Sequence, residues 1–579
     1  MKKKYLLRLL QTFLFIAFSS ASYAQLSGVK TIPGDYVTIA AAITDLNASG
    51  VATGGVTFNV AANYTETGMM PVITATGTVG NPIVFQKSGT GTNPTITAGT
   101  GIGTRDGVIV LQGTDYITFD GINVEENAAN TTATTQMEWG YALLKASGTD
   151  GSQNVIIKNS RIILSSSNIS SVGIYSANQT PATTTSLLIS NIDGTNSYNH
   201  FYSNIIVGAY NGIVISSSPS FYDIFNEVGV LGANIIANFG GGASTAKGIY
   251  TLFQNDLKIV NNNITSRTGT NGIVYGIHND VATSSNVEIS NNTITVHGGG
   301  TTQLIMAIYN QAGSTPSGNN VIINDNIIQD CTYPTATSGG FQAIQNIGTA
   351  ANVKINGNTI SDFNYGGTAT LFMINSNTSN SDMLLEINNN TINNITRTGT
   401  GTGATYIISA ATAAFVNLDN NNIYNISKAG SGVFRMYSNI AAPLQESYSA
   451  NNIYNITNTG SGITAGIYST TTAACISTIN SNQIYNFTTN ATITYGIYKT
   501  TGTYSLERNK INDINANLGE VVGIYTGAGT ATLVNNLIAN LDVTGATGAT
   551  MVSGIRGAAG SALYLFYNTI YLNATSNTT

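Results

Sequence analysis

The densest group of residues that could do acid–base chemistry lies early in the chain. It consists of four carboxylates and two basic residues in one short stretch: Asp120, Glu125, Glu126, Glu138, Lys158 and Arg161. General acid–base chemistry requires paired carboxylates, with a basic residue or calcium beside them. If loops bring these residues together, they form a candidate catalytic or calcium site. The alternative, which the sequence favours, is a solvated rim on the outer face.

Other metal or thiol chemistry is not indicated. His200, His278 and His297 are scattered, without the spacing of a zinc site, and no calcium-binding Gly-Gly-x-Gly-x-Asp repeat occurs. We therefore predict no metal ligand and no cofactor, with calcium expected only if the protein is an enzyme. Cys331 and Cys475 lie about five sequence repeats apart, roughly 24 Å along a solenoid, so we expect both to be buried and reduced.

Tyrosine supplies a second kind of candidate site. The chain has 30 Tyr and a single Trp. Six tyrosines occupy equivalent places in a recurring Gly-Ile-Tyr phrase or its relatives, and they would form one outward column if each Ile points inward: Tyr175, Tyr250, Tyr309, Tyr468, Tyr498 and Tyr525. Tyr424, Tyr454 and Tyr485 form a second column. Exposed aromatic columns can bind sugar rings, whereas the alternative is that they only stabilise neighbouring strands.

A sequence repeat positions these residues. An Asn-x-Ile phrase recurs every 27 to 33 residues, with its isoleucines at Ile264, Ile294, Ile327, Ile360, Ile392, Ile423, Ile453, Ile484, Ile511, Ile538 and Ile570. A drifting period of this length predicts a solenoid with loops of variable length. Thr, Asn, Ile, Tyr and Gly dominate each period, as strands and turns require, which argues against leucine-rich or helical repeats.

Each period predicts three short strands, two of which are separated by asparagines that tolerate a left-handed bend. Every strand should pair in parallel with its equivalent one period later, about 4.8 Å away. Isoleucines would then fill the interior, and asparagine amides would bond along the axis. On the outer face, Lys258 aligns with Glu288 and Lys354 with Glu386, which predicts two opposite-charge pairs.

Composition narrows the class of protein. Only 8% of the 579 residues are charged, 42% are hydrophobic and 62 are Gly. This is unlike a cytosolic enzyme, and the periodic apolar residues argue against disorder. Without the four basic residues of the first segment, 17 basic and 27 acidic residues leave a net charge of −10. An acidic surface argues against nucleic acid as a partner.

The first 24 residues have the pattern of a secretory signal peptide. A basic start is followed by an apolar run around Phe13 to Phe18, and small residues at Ser22 and Ala24 precede Gln25. No later stretch is long and apolar enough to predict a transmembrane segment. We therefore expect a product that is secreted or held on the outer cell surface.

The rest of the chain divides into two parts. Residues 25–60 form an N-terminal cap with a helix over 36–48 and the first strand, in which Thr38 caps the helix and one apolar face covers the open first coil. Residues 61–579 form an all-β solenoid whose C-terminal end looks truncated, because no closing cap follows Leu572.

Two stretches carry a resemblance to a known group. Gly34 to Ile43, followed by Gly55-Val56-Thr57-Phe58-Asn59-Val60 and Tyr64-Thr65-Glu66, resembles the opening of right-handed parallel β-helix proteins of the pectin-lyase-like group, and Asp115 to Val124 is similar to their early coils. Within that group, the chain most resembles the large secreted Bacteroidota proteins that often end in a type IX secretion sorting domain. The resemblance implies the scaffold, which by itself does not imply an activity.

Two main functions remain open at this stage. The favoured one is a non-catalytic secreted or cell-surface β-helix that acts in adhesion or contacts an extended polysaccharide or cell-surface glycan. The alternative is a polysaccharide lyase or glycoside hydrolase that acts on an acidic polysaccharide through the coils between Asp120 and Tyr222. The polygalacturonase phrases Asn-Thr-Asp and Gly-His-Gly are absent. A third hypothesis, an ice- or mineral-binding face, lacks a regular Thr-x-Thr column.

Overall fold

The computed structural model describes residues 24–313, 318–545, 551–558 and 561–572. The described chain is a right-handed parallel β-solenoid of about 17 turns with almost no helix. The predicted all-β solenoid is therefore confirmed. The predicted signal peptide lies outside the described residues, apart from Ala24.

The strands pair in parallel in three series, which we call sheets 1, 2 and 3 in the order in which the chain enters them. Sheet 1 contains Leu26–Ile32, Val51–Ala61, Ile83–Ser88, Ile117–Asp120, Ile156–Lys158, His200–Tyr202, Glu227–Val228, Leu257–Val260, Val287–Ser290, Asn320–Asn324, Asn352–Lys354, Gln445–Ser449, Ile476–Asn480, Thr503–Glu507, Gly529–Val534 and Ser561–Phe566.

Sheet 2 is built from the strands that follow the recurring asparagine. They are Thr65–Thr67, Thr95–Thr97, Asn123–Glu125, Arg161–Ile163, Ile205–Val207, Ile235–Phe239, Asn263–Ser266, Thr293–Thr295, Ile327–Gln329, Thr332–Tyr333, Thr359–Tyr365, Thr391–Arg397, Asn422–Lys428, Asn452–Asn458, Gln483–Thr489, Lys510–Ala516, Leu537–Val543 and Thr569–Tyr571.

Sheet 3 carries the Gly-Ile-Tyr phrases. Its strands are Gly107–Gln112, Trp139–Leu144, Val172–Ala177, Asn211–Ser216, Ala246–Leu252, Val274–Asn279, Ile305–Asn310, Phe341–Asn346, Phe434–Asn439, Thr464–Thr470, Ile493–Thr500, Glu520–Thr526 and Val552–Gly557. Two long strands, Leu371–Glu386 and Thr405–Asn417, run through sheets 3 and 1 and join them. A separate pair, Asp223–Ile224 and Gln254–Asn255, lies outside the three sheets.

Alternation of apolar and polar residues makes these segments strands and fills the interior. In Leu257–Val260, Leu257 and Ile259 are buried while Lys258 is exposed, which is the period-two pattern of a strand that is buried on one face. Ile264 of sheet 2 and Ile277 of sheet 3 are both fully buried, in the same continuous core.

A ladder of buried asparagines lies at the bend between sheets 1 and 2. The Asn292 side chain accepts hydrogen bonds from the backbone N and from Nδ2 of Asn262, at 2.9 and 3.0 Å. Its own Nδ2 donates to the Ile259 carbonyl at 2.8 Å and to Asn326 Oδ1 at 3.0 Å. This pattern recurs from Asn204 to Asn568, so the predicted amide bonding along the axis is confirmed.

The residue before most ladder asparagines adopts the left-handed conformation. It is Asn at positions 261, 291, 389 and 420, with φ between 56° and 65°, but Ala450 and Arg508 adopt it as well. The bend is therefore tolerated by residues other than asparagine. The prediction that Ile327 is the inward isoleucine of its repeat is wrong by one residue. Ile328 pairs with Ile294 and is buried, whereas Ile327 is exposed.

The α-helix spans Ile39–Ser49 rather than 36–48. Thr38 is its N-cap, as predicted, and its hydroxyl accepts a hydrogen bond from Ala41 N at 3.0 Å. The Glu66 carboxylate also accepts from the first backbone N–H groups of the helix, which explains why the helix begins at Ile39. Ile39, Ala42, Ile43 and Leu46 are buried against the core, as the helical spacing indicated. Two 3-10 turns, Ala133–Thr135 and Ile192–Gly194, complete the helical residues among those described.

The two predicted ion pairs have different outcomes. Lys354 Nζ lies 3.2 Å from Glu386 Oε2, on adjacent strands in the expected register. Lys258 and Glu288 are also direct register partners, but the Lys258 ammonium lies 3.6 Å from Glu227 of the preceding turn instead. Lys258 is flanked by carboxylates on both sides, so the register alone did not determine its partner. Elsewhere, Cys331 and Cys475 are both free and buried, as predicted.

We predict that replacing one ladder amide destabilises the solenoid. Asn390→Ala would leave Asn358 without its acceptor and the Ile355 carbonyl without its donor, at 2.8 to 3.0 Å in the intact protein. Each orphaned buried group costs about 1–3 kcal/mol, so the free energy of unfolding should fall by at least about 3 kcal/mol. Urea denaturation followed by circular dichroism measures this change.

The control is Asn425→Gly, at an exposed left-handed position with φ of 55°. Glycine adopts this conformation freely, and the lost contacts are two exposed amide bonds, one to Asn394 and one from Asn455. Because water can replace both, the change should stay below about 2 kcal/mol. Equal losses for the two variants would contradict the assignment of the buried ladder as the stabilising element.

Candidate functional site

The predicted acid–base group divides among different surfaces. Asp120 and Lys158 are register partners on sheet 1, and the Lys158 ammonium lies 3.1 Å from Asp120 Oδ2. Asn159 Nδ2 donates to the other oxygen, Oδ1, at 2.7 Å. Both oxygens of this carboxylate therefore have a protein partner.

Glu125 and Arg161 lie on sheet 2 and line one cleft of about 470 Å³. Glu125 Oε1 accepts a hydrogen bond from Thr97 Oγ1 at 2.9 Å, while Arg161 is exposed. A second cleft, of about 680 Å³, is lined by Glu126 and Arg267. The two clefts adjoin at Ile163, and we call them together the sheet 2 groove.

Glu126 and Glu138 hold the segment between them in place. Glu126 Oε2 accepts from Met137 N at 2.6 Å, and Oε1 accepts from Asn127 N at 3.0 Å. Glu138 is buried and accepts from Asp106 N and from Asn168 Nδ2, each at 2.9 Å. Burial raises the pKa of both carboxyls. Of the six predicted residues, Asp120 pairs with Lys158, and Glu125 and Arg161 line the same cleft. Glu126 lies close enough to Glu138 for the Glu138 charge to add to the rise in its pKa.

The six predicted tyrosines lie at one register position on the outer side of sheet 3. Tyr175 and Tyr250 are both partners of Val214. His278 separates Tyr250 from Tyr309, and Tyr468, Tyr498 and Tyr525 follow one another directly. All six side chains are half-buried. The second predicted column, Tyr424, Tyr454 and Tyr485, is also in register, on sheet 2.

Ring stacking covers the faces of these tyrosines. The centroids of Tyr468 and Tyr498 are 4.4 Å apart, and those of Tyr498 and Tyr525 are 4.7 Å apart, with interplanar angles of 3°. The Arg435 guanidinium carbon lies 3.3 Å from the Tyr468 centroid, a cation–π contact at the end of the stack. The ring edges and hydroxyls, rather than the ring faces, are therefore what this row offers to a ligand.

A cluster of titratable groups on the same face was missed in the sequence. The Lys247 ammonium lies 3.2 Å from the Tyr250 ring centroid, and the Tyr250 hydroxyl donates to Asp280 Oδ2 at 2.9 Å. His278 is stacked between Tyr275 and Tyr309, at 4.5 and 5.0 Å. The one available signal was that His278 occupies the tyrosine place of its phrase, Gly276-Ile277-His278.

Burial controls the protonation of this cluster. It lowers the pKa of Lys247 to about 8, against the opposing effect of Asp280. It also lowers the pKa of His278 to about 4, assisted by the charge of Lys247. Gln311 Nε2 lies 3.0 Å from His278 Nε2, and His278 Nδ1 is buried without a hydrogen-bond partner among the described residues. At neutral pH the cluster combines a neutral imidazole with a lysine near its titration point.

Within the described ranges, no three or more His, Cys, Asp or Glu side chains form a group able to hold a metal ion. In the same residues, no helix has the length and apolar character needed to cross a bilayer.

The likeness of this chain to known proteins is weak. No protein-family model matches the chain, and no curated protein matches it. Among solved structures, it is similar to a GH136 lacto-N-biosidase from Eubacterium ramulus, with a TM-score of 0.37, 11% identity and 64% of each chain covered. The alignment thus spans less than two thirds of that enzyme.

Two other solved structures cover more of the chain at lower scores. The PL6 family alginate lyase AlyGC aligns over 94% of this chain and 99% of its own, with a TM-score of 0.22 and 10% identity. PfbA, a surface adhesin of Streptococcus pneumoniae, aligns over 90% and 93%, with a TM-score of 0.21 and 10% identity. These proteins share the β-helix fold while differing in activity, so the likeness decides no function.

We predict that Lys247 reacts as an amine at unusually low pH. Acylation of Lys247, followed by mass spectrometry of its peptide, should be half-maximal near pH 8. Asp280→Asn removes the charge that favours the ammonium, so the midpoint should move to lower pH. Asp362→Asn, an exposed carboxylate on sheet 2, should leave the midpoint unchanged. A midpoint near the ordinary lysine value of about 10.4 would contradict the buried placement.

Proposed function

We propose that this protein is a non-catalytic, secreted or cell-surface β-helix protein that contacts an extended glycan along the outer side of sheet 3. The observation that carries this proposal is the row of Tyr468, Tyr498 and Tyr525. Their rings repeat at 4.4 to 4.7 Å along the solenoid axis, with one hydroxyl per turn. An extended glycan with a similar repeat can accept or donate one hydrogen bond per turn along this row.

The Lys247 cluster lies on the same face, with its Tyr309 five turns before Tyr468. Tyr250, Tyr275 and Tyr309 are half-buried there, and each combines an apolar ring edge with a polar hydroxyl. Amphipathic rings of this kind suit the mixed apolar and polar surface of a sugar. The contact is edge-on, because neighbouring rings, Arg435 and Lys247 already cover ring faces.

The remaining parts of the proposal concern organisation and location. We propose that residues 1–24 direct export, by the type IX route if the resemblance to Bacteroidota proteins holds. Ile39–Ser49 would cover the first turn, and each turn would comprise three short strands. A polysaccharide or cell-surface glycan, rather than nucleic acid, would be the partner.

The decisive test removes a hydroxyl without disturbing the stack. Tyr498→Phe retains the ring contacts with Tyr468 and Tyr525, but it loses the polar group. One hydrogen bond contributes about 1 kcal/mol, so affinity for the bound glycan should fall about fivefold. Affinity electrophoresis in gels that contain acidic or neutral polysaccharides measures the retention.

Tyr454→Phe on sheet 2 is the matched control, because Tyr454 is stacked in the same way between Tyr424 and Tyr485. It should bind as the wild type does. Loss of retention only in Tyr454→Phe would move the contact to sheet 2. A wild-type protein that is retained by no glycan would overturn the proposal.

An enzyme is the second candidate, and the groove on sheet 2 favours it. Glu126 and Arg267 both line this groove, and burial raises the pKa of Glu126, as a general acid requires. Glu125 and Arg161 lie in the adjoining part. On this hypothesis the protein is a lyase or hydrolase of an acidic polysaccharide.

We predict for this candidate that incubation with acidic polysaccharides releases unsaturated or reducing ends, and that Glu126→Gln lowers the rate at least about 100-fold. Asp362→Asn, outside the groove, should retain full activity. Glycan retention without any product would reject the enzyme and leave the binding proposal intact.

A further inference from the structure

Two buried cations lie next to each other without a carboxylate. Arg397 and Lys428 end neighbouring strands of sheet 2 and are direct register partners. They are 1% and 0% exposed. An unpaired buried charge is strongly unfavourable, and here two like charges also repel one another. Among the described residues, the pair has no carboxylate as a counter-charge.

The hydrogen bonds of this pair are incomplete. Arg397 Nη1 donates to the carbonyls of Gly403 and Ala404 at 2.7 Å and to Thr405 Oγ1 at 2.8 Å. Its Nε and Nη2 groups are buried and have no acceptor within the described part of the chain. Lys428 Nζ donates to one oxygen, that of Gly430, at 2.7 Å. Several N–H groups of a guanidinium and an ammonium are left over.

The other fully buried lysines of this protein show what is missing. Lys499 Nζ lies 2.8 Å from Glu446 Oε1, and Lys145 Nζ lies 4.0 Å from Asp223 Oδ1. Each of these lysines has a fully buried carboxylate as its counter-charge. No ion pair of Arg397 or Lys428 occurs among the residues described.

The next turn shows that the local fold does not need the charge. Asn458 is the register partner that follows Lys428. Its Nδ2 donates to the Gly462 carbonyl at 3.0 Å and to Thr464 Oγ1 at 2.8 Å. Thr464 is equivalent to Thr405, two turns earlier. A neutral amide thus holds the equivalent loop two turns after the one that Arg397 holds. Attachment of the loop therefore does not explain why two cations are buried here.

We propose that Arg397 and Lys428 together bind a small inorganic anion of the chloride class inside the solenoid wall. The free N–H groups of the guanidinium and the ammonium ligate the anion, and its charge offsets theirs. Burial and the Arg397 charge lower the pKa of Lys428 to about 8. A bound anion would offset this destabilisation of the charged lysine. This inference does not depend on glycan binding.

The test compares thermal unfolding of the full chain in sodium chloride and sodium gluconate at equal ionic strength. Chloride, but not gluconate, should raise the midpoint saturably, because a ligand of the native state stabilises it by mass action. Lys428→Asn, which copies Asn458, should abolish the chloride dependence. Lys258→Met, which removes one exposed lysine charge, should retain it.

A bromide-soaked crystal provides the structural readout, with an anomalous peak expected between the two side chains in the wild type and none in Lys428→Asn. If Lys428→Asn fails to fold, this peak and the chloride dependence of the wild type still decide the question. The same midpoint in chloride and gluconate, or no bromide peak, would overturn the proposal and indicate that Lys428 is buried as the neutral amine.

Discussion

The buried asparagine ladder is the interaction on which the rest of the structure depends. Each ladder amide uses its oxygen and its NH₂ group to join neighbouring turns, as Asn292 does with Asn262 and Asn326. A buried amide with one partner missing would be costly, and a slip of one residue would orphan the whole row. The ladder therefore sets the register in which isoleucines meet inside and tyrosines meet outside.

Regular register has a cost for the outer surface. When tyrosines lie directly above one another, as Tyr468 and Tyr498 do, each ring uses its faces on its neighbours. Stacking of this kind stabilises adjacent strands, and the same contacts withdraw the faces from any ligand. Stabilisation and binding are thus divided between different parts of one side chain, the ring faces and the hydroxyl edge.

Charge is rare in this chain, at 8% of residues, and its placement is informative. Lys499 is buried against Glu446, which also accepts hydrogen bonds from Ser469 and Ser477. Such a network is satisfied internally and serves packing. Arg397 with Lys428 and the Lys247 cluster differ, because each leaves polar groups without a partner in the part of the chain that the structure describes. These two places differ from the other buried unpartnered atoms, at Asn178, Gln342, Arg435 and Asn452, because each combines several titratable groups.

The sequence by itself determined the periodic features, because a solenoid repeats its local environment at each turn. The amide ladder, the buried isoleucines and the tyrosine columns could all be inferred from spacing, and so could the helix capped by Thr38. Errors came where one residue shifts the pattern, as at Ile327.

Only the tertiary structure decided which groups from different turns meet. Lys247, Tyr250 and Asp280 have no common motif, yet adjacent strands bring them together. The acid–base residues, which are close in sequence, divide among separate sheets because each bend redirects the chain to another face of the solenoid. Which residues of different turns become neighbours depends on the lengths of the loops, and these lengths vary from turn to turn.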